Sequence, residues 1–303
     1  MNEVKSAMGH GAMNEVKSAM GHGAMNEVKS AMGHRAMSSP RKAAVLGSPV
    51  AHSKSPLLHL AAYRALGLTD WTYDRIDCTA DELPALVRSF GPEWVGVSVT
   101  MPGKFAALAF ADDRTERAEL VGSANTLVRT EHGWRADNTD IDGVAGALGH
   151  VRHLRRAIVL GSGGTAPAAV VGLAELGVTE ITVVARNRDK AVRLLDLGAA
   201  VGVTTEFCDL GDEKLAEAVA TADVLVSTIP ADAAQAYAGV FAGVPVLLDA
   251  IYDPWPTPLA VAVHDAGGEV ISGLQMLLNQ AFSQVEQFTG RPAPREQMVA
   301  ALG

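Results

Sequence analysis

The run Arg156–Leu176, RAIVLGSGGTAPAAVVGLAEL, limits what this chain can fold into more than any other stretch. A short apolar run suited to a strand enters a glycine turn, and an alanine-rich run suited to a helix leaves it with no charge until Glu175. Gly161, Gly163 and Gly164 permit a tight turn and a close approach of backbone to a pyrophosphate. Ala166 takes the small third position of G-x-G-x-x-G/A, where helix and strand meet closely. Ser162 and Thr165 lie in the same turn, whose backbone N–H groups at the helix start would face phosphate.

In a chain with 30 glycines that spacing also marks ordinary turns, so the next strand carries the decision. The strand predicted from Glu180 to Val184 ends in Ala185, Arg186, Asn187 and Arg188, with Lys190 close behind and no carboxylate at its tip. An NAD site expects Asp or Glu there to bond the ribose 2′-hydroxyl, whereas arginine accommodates the extra 2′-phosphate of NADP. The basic tip therefore points to NADP, against the plainer reading of a solvated basic turn.

With 303 residues, 48% of them hydrophobic, the chain has material for two domains with proper cores. Its net charge of -9 opposes binding to a phosphate backbone, so nucleic acid is not expected as a partner. No apolar run approaches the roughly eighteen residues needed to span a bilayer, and no secretory signal precedes the first strand, so a cytoplasmic location is expected. Cys78 and Cys208 stand far apart without metal spacing; they read as reduced thiols, and no metal is expected.

The first 36 residues repeat a twelve-residue unit, MNEVKSAMGHGA at Met1 and Met13 and MNEVKSAMGHRA at Met25. That period drifts off any one helix face, and each unit has too few large apolar groups to stack into a core. His10, His22 and His34 are too widely spaced in such a tract for a preorganised metal site. Residues 1–37 are expected to form a disordered tail outside the fold, with Met37 as the functional start. Deleting Met1 to Ala36 should leave activity and melting temperature unchanged; a melting point lower by several degrees would show a packed tail.

From Ala43 strand-like and helix-like runs alternate: AAVLG, a helix over Ser55 to Leu66, WTYDRID, a helix near Asp81 to Arg88, and WVGVSVT. This βαβαβ order predicts parallel pairing. SANTLVRT and WRADN, joined around His132-Gly133, predict an antiparallel hairpin, and Asp140 opens a helix carrying Val144, Leu148 and Val151. The second half repeats the alternation as a Rossmann half through ITVVA, VTTEFC, ADVLVSTIP, VPVLLDAIY and GGEVIS. One amphipathic helix after Gly273 and a short one from about Pro294 close the chain.

Polar residues between the halves fall in loops after strands, where chemistry on a rigid sheet belongs. Ser53 and Ser55 stand just before a helix and can present hydroxyls and N–H groups to a carboxylate; helix capping explains one of them equally well. The turn VTMPGK projects the Thr100 hydroxyl and the Lys104 amine from the end of a central strand. Asn125 and Asp140 flank the hairpin, and Tyr252 and Gln280 come late in the chain. Each alone is more often structural; together they make plausible walls of one cleft.

At these residues the chain resembles the shikimate dehydrogenase family over about Ala43 to Phe288. GSPVAHSKSP, VTMPGK, ANT, NTDIDG, GSGGTA, ARNR, YDPWPTPL and GLQMLLNQ occur in family order. The resemblance implies an α/β fold in which an N-terminal substrate-binding domain, residues 38–139 with 273–303, faces a Rossmann-type NADP-binding domain, residues 140–272, across a cleft. It implies that Ser53 and Ser55 hold the substrate carboxylate with Tyr252 nearby, that Thr100, Asn125 and Gln280 contact ring hydroxyls, and that Lys104 and Asp140 form the catalytic pair. On the cofactor side it implies the glycine turn for the pyrophosphate, Arg186 for the 2′-phosphate, and Gly273 with Met276 beside the nicotinamide.

Two positions depart from the family's pattern: Ser98 and Ala185 both stand where it commonly has Asn, and the second change leaves Arg188 and Lys190 to compensate at the adenosine end. The implied activity is the reversible NADPH-dependent reduction of 3-dehydroshikimate to shikimate, in aromatic amino-acid synthesis. A small-molecule substrate is the expected partner, with a homodimer left open. A quinate/shikimate enzyme using NAD is opposed by the missing ribose-binding acid. A nucleotide-sensing protein without catalysis is opposed by the presence of both Lys104 and Asp140.

Overall fold

The computed structural model describes residues 40–303, which lie within one compact unit, Ser39–Gly303. The expectations for residues 1–37 lie outside the described residues.

The first half runs β1 Arg41–Gly47, α1 Ser55–Ala65, β2 Trp71–Asp77, α2 Leu83–Arg88, β3 Trp94–Val99, α3 Lys104–Phe110, β4 Asp113–Arg114, α4 Glu116–Val121, β5 Thr126–Thr130 and β6 Gly133–Asp137. Its sheet has the order β2-β1-β3-β5-β6-β4. β1 lies inside the sheet between β2 and β3, and Ala43, Ala44, Val45 and Leu46 are buried on both its faces, as in a strand between two helical layers. Ala43 and Val45 meet Leu58, Tyr63 and Phe282 on one side, while Ala44 and Leu46 meet Leu83, Val97 and Leu127 on the other. β1 pairs in parallel with β2 and β3, and β5 with β6 forms the expected antiparallel hairpin. The two-residue strand β4, which pairs in parallel with β6, has no counterpart in the sequence reading: both its residues are exposed and too short a run to show a period.

The second half runs α5 Asp140–Leu148, β7 Arg156–Leu160, α6 Ala166–Glu175, β8 Glu180–Val184, α7 Arg188–Ala200, β9 Thr204–Cys208, α8 Leu215–Thr221, β10 Val224–Ser227, α9 Ala231–Gln235, α10 Ala238–Phe241, β11 Val246–Asp249, α11 Pro258–Asp265, β12 Glu269–Ser272, α12 Gly273–Thr289 and α13 Arg295–Ala300. Its sheet is wholly parallel, in the order β12-β11-β10-β7-β8-β9. That is the doubly wound Rossmann arrangement, with the strand order reversing between β7 and β10, where such sheets bind ligands beyond their strand ends. α5 ends at Leu148, so Val151 is not part of it but packs, partly buried, against the core beyond the helix.

Two helices tie the sheets together. α5 packs along α12, and Gly143 is what permits their approach: a Cβ there would lie 2.8 Å from the Met276 carbonyl oxygen.

The crossover into α5 is clamped by Arg117 of α4. Its Nε donates to Asp137 Oδ1 at 2.7 Å, its Nη2 donates to Asp137 Oδ2, and its Nη1 reaches Asp142 Oδ2 at 2.9 Å. Thr115 Oγ1 and Gln287 Nε2 each donate to Asp137 at 2.7 Å. Burial alone would push the Asp137 carboxyl up; the bonds and charge of Arg117, with Thr115 and Gln287, outweigh it and hold the group below its usual range.

Candidate active site

Lys104 is the first residue of α3, delivered by the turn that follows β3. Its Nζ donates to Asp140 Oδ2 at 2.5 Å and to Thr165 Oγ1 at 3.3 Å, so one ammonium touches the start of α5 and the end of the glycine turn. Asp140 opens α5, where the unpaired N–H groups of the first turn favour an anion. Asn125 Nδ2 donates to its Oδ1 at 2.9 Å, leaving Oδ2 to the lysine. Asn125 is itself fixed, its Oδ1 accepting from Thr139 N and Thr126 Oγ1, both at 2.8 Å. The result is a half-enclosed ammonium, held by an oriented carboxylate and able to pass a proton to or from an oxygen placed before it.

This pair lines a cavity of about 150 Å³. Ser53, Ser55, Thr100, Asn125, Tyr252 and Gln280, all singled out from the sequence, line the same cavity, as do Gly273 and Met276. The residue in the cap position of α1 is Lys54, without a side-chain capping bond, so neither serine serves as the helix cap. Ser53 Oγ instead donates to Ser55 Oγ at 3.2 Å, both side chains being buried. Tyr252 sits on the loop after β11. Burial pushes its phenol up, and the Lys54 backbone, the Ser53 hydroxyl and the Arg75 charge act the other way. Asp249 holds that loop by accepting from Ile251 N at 3.1 Å and Thr257 Oγ1 at 2.6 Å, and burial raises its own carboxyl.

Ser98, which the sequence reading named only as a departure from the family's pattern, and Gln284, which it did not single out, also line the cavity. Tyr73 OH donates to Ser98 Oγ at 2.6 Å, and Ser98 Oγ donates to Gln284 Oε1 at 2.6 Å. Gln284 Nε2 donates onward to Thr126 Oγ1 at 2.8 Å and the Asn125 carbonyl at 3.2 Å. His59 stacks on Tyr73 with ring centroids 4.0 Å apart and lies 3.3 Å from Gln284 Oε1. Burial lowers its pKa to about 3, so it stays neutral, and the carbonyl acceptor assigns its proton to Nε2. The available signal was the spacing of Gln280 and Gln284, which places two amides on one face of α12.

A second cavity of about 290 Å³ lies at the strand tips of the Rossmann half. Gly161, Ser162, Gly163, Arg186, Asn187 and Lys190 line it. Gly161 has φ +112, and a Cβ there would meet Thr228 Oγ1 at 2.5 Å, so only glycine serves. A Cβ on Gly163 would meet nothing within 4 Å, so its backbone faces open space. Ala166 is fully buried at the first position of α6. Open backbone at a glycine turn beside two cations fits a dinucleotide with an extra phosphate.

Besides Ala166, Gly273 and Met276, three more residues of the cofactor group lie outside this cavity. Thr165 lines the first cavity with Lys104, and the missing Cβ of Gly164 points at the side chains of Phe105 and Lys104. The guanidinium of Arg188 lies 5.3 Å from the Phe207 ring centroid and is not among the residues lining the second cavity, because α7 begins there and turns it away. Asn187 caps α7, its Oδ1 accepting from Lys190 N at 3.0 Å. Ile229, Pro230 and Tyr237, from the segment after β10, complete the cavity wall. Among the described residues no group of three or more His, Cys, Asp or Glu side chains is placed to hold a metal ion.

Family models match in register with this architecture. The shikimate dehydrogenase substrate binding domain matches residues 45–127, shikimate / quinate 5-dehydrogenase matches 147–237, and the shikimate 5'-dehydrogenase C-terminal domain matches 273–302. The shikimate dehydrogenase of Mycobacterium tuberculosis has a crystal structure 76% identical to this chain, with TM-score 0.84, covering 87% of this chain and 99% of that one. Shikimate dehydrogenase (NADP(+)) of Methanothermobacter thermautotrophicus is 35% identical over 85% of this chain and 94% of its own. The shikimate 5-dehydrogenase of Thermus thermophilus, solved in complex with NADP(H) and shikimate, is 29% identical with TM-score 0.73 over 86% of this chain and 98% of that one. Matches that run through both sheets and return to α12 in the order of the chain lead to one conclusion: this chain belongs to the shikimate dehydrogenase family.

Proposed function

We infer that this chain is an NADP-dependent shikimate dehydrogenase, interconverting 3-dehydroshikimate and shikimate in aromatic amino-acid biosynthesis. The observation that carries the reading is the Lys104–Asp140 contact in a cavity whose neighbouring strand tip is cationic and lacks a carboxylate. Bound NADPH supplies the hydride; the protein supplies orientation, a proton and a dry cleft. Lys104 gives a proton to the oxygen as the carbonyl becomes an alcohol, and takes it back in the reverse direction. Asp140 keeps the ammonium aimed. Ser53, Ser55 and Tyr252 hold the carboxylate, and Thr100, Asn125 and Gln280 face the ring hydroxyls. Gly273 and Met276 flank the nicotinamide, the glycine turn takes the pyrophosphate, and Arg186 with Lys190 takes the 2′-phosphate.

In this reading residues 38–139 with 273–303 form the substrate domain and residues 140–272 the NADP domain. No helix among the described residues is long and apolar enough to cross a membrane. The proposal extends to a cytoplasmic location and admits a homodimer, to be tested by fractionation and light scattering.

The deciding experiment follows absorbance at the reduced-nicotinamide band with shikimate or quinate and with NADP or NAD. Turnover of shikimate with NADP is expected; preference for quinate with NAD, or binding without turnover, would overturn the reading. Arg186→Ala should raise the Michaelis constant for NADP far more than that for NAD, because only NADP carries the dianionic phosphate that the guanidinium grips. Equal effects on both cofactors would remove Arg186 from that role.

A further inference from the structure

β2 lays two long polar side chains, Tyr73 and Arg75, on the same face of its sheet, since they are two residues apart on a strand. Arg75 reaches the serine loop, while Tyr73 reaches the neighbouring interior of the sheet at β3. Tyr73 OH bonds Ser98, and Arg75 Nε donates to the Ser53 carbonyl at 2.8 Å. An ionised carboxylate entering a half-buried cavity needs a cation or several charge-assisted bonds to offset its lost hydration. The groups proposed for that role, Ser53, Ser55 and Tyr252, are neutral hydroxyls, and the hydrogen of Ser53 is spent on Ser55. Lys104 lines the same cavity, but it is paired with Asp140. Arg75 makes no ion pair among the described residues, and one guanidinium bond leaves its remaining N–H groups without a recorded protein acceptor. The carboxylates nearest in the sequence are Asp74, which the strand alternation puts on the opposite face, and Asp77, which accepts from the Ser48 hydroxyl at 2.9 Å. Asp253, beside Tyr252, is the other acidic group of this rim, and Lys54 and His52 its other basic ones.

We propose that Arg75 is a substrate-positioning residue: it fixes the Ser53 carbonyl from behind the cavity wall and supplies the positive charge that selects a carboxylate at the serine subsite. It acts through Ser53 and through its field, not by touching the reacting atoms. Its charge is already felt at the Tyr252 phenol, whose ionisation it favours. The inference rests on the reading of Ser53 and Ser55 as the carboxylate subsite.

The test compares KM and kcat for shikimate and for its uncharged methyl ester in the full chain and in Arg75→Gln, Arg75→Lys and Ser55→Ala. Gln keeps a donor for the Ser53 carbonyl and loses the charge; Lys keeps the charge. Arg75→Gln should raise KM for the acid about three- to fivefold, the scale of a charge acting at an exposed site, with kcat and the ester's KM unchanged. Arg75→Lys, which keeps the charge, should stay within about twofold of the parent. Arg75→Gln changing acid and ester alike, or neither, overturns the proposal, and so does Arg75→Lys behaving as poorly as Gln. A parent preference for acid over ester that survives Arg75→Gln removes Arg75 alone. A parent with no such preference, and Ser55→Ala with unchanged KM for the acid, overturns the subsite reading and the proposal together.

Discussion

Lys104→Ala is expected to lower kcat by about 10²- to 10⁴-fold, the usual range for a positioned acid–base group, while the dissociation constant for shikimate changes little. The physical reason is differential: in the proposed role the ammonium would meet its strongest acceptor only as negative charge builds on the substrate oxygen, so its loss would fall on the transition state more than on the bound substrate. Asp140→Asn should follow the same direction with more residual activity, since the lysine stays and keeps its 3.3 Å contact with Thr165. The two changes should not add, because in the proposed mechanism the residues handle one proton as a unit. Steady-state rates and shikimate binding for both single variants and the double variant check this. A Lys104→Ala enzyme with parental kcat and weakened binding would reduce the lysine to a hydroxyl-binding group.

Arg117→Met is expected to cost about 3–5 kcal/mol of stability, because it strands the Asp137 carboxylate, only 2% exposed, without its cation. The pH dependence fixes the mechanism. In the parent, Asp137 is held below its usual range, so its contribution is present above the unfolded value near about 4 and is lost as pH falls through the folded value. Without Arg117 the burial that raises this carboxyl goes unopposed by charge. Its folded value then lies above the unfolded one, and the variant loses stability as pH rises through that window. The gap between the two proteins should therefore be widest at neutral pH and narrow on acidification. Denaturant unfolding at pH 7 and pH 4.5 measures it; the same gap at both would show that Arg117 matters by packing alone.

The architecture was legible because it is written in periods. Buried parallel strands such as β1 and β7 read as continuous apolar runs, and the glycine turn between β7 and α6 has few alternatives to the conformation it adopts. The cavity lining was legible because its residues end strands or open helices, where side chains converge whatever the details. What could not be read were contacts between residues far apart in the chain. Arg117, Asp137 and Gln287 each look like ordinary surface polar residues, and only the packing of α4, β6 and α12 makes them one cluster. Arg188 belongs to a basic run, but the first turn of α7 sends its side chain over Phe207 and away from the cavity that Arg186 and Lys190 line. Thr165 belongs to the glycine turn by sequence and to Lys104 by geometry.

Gly273, Met276, Gln280 and Gln284 all line the cavity of Lys104, and their spacing places them along one face of a single helix. At about 1.5 Å of rise per residue that face extends over roughly 16 Å. α12 is thus a ruler, graduated from the end proposed for the nicotinamide to the amides under the substrate, and Gly143 lets α5 lie close against it. With the nicotinamide and substrate held as proposed, the distance for hydride transfer would be set by the rise of a rigid helix instead of by the pliancy of loops. Inserting one residue between Met276 and Gln280 would turn both amides by about 100° and put the two ends of the ruler out of register, with every hydrogen-bonding side chain still present.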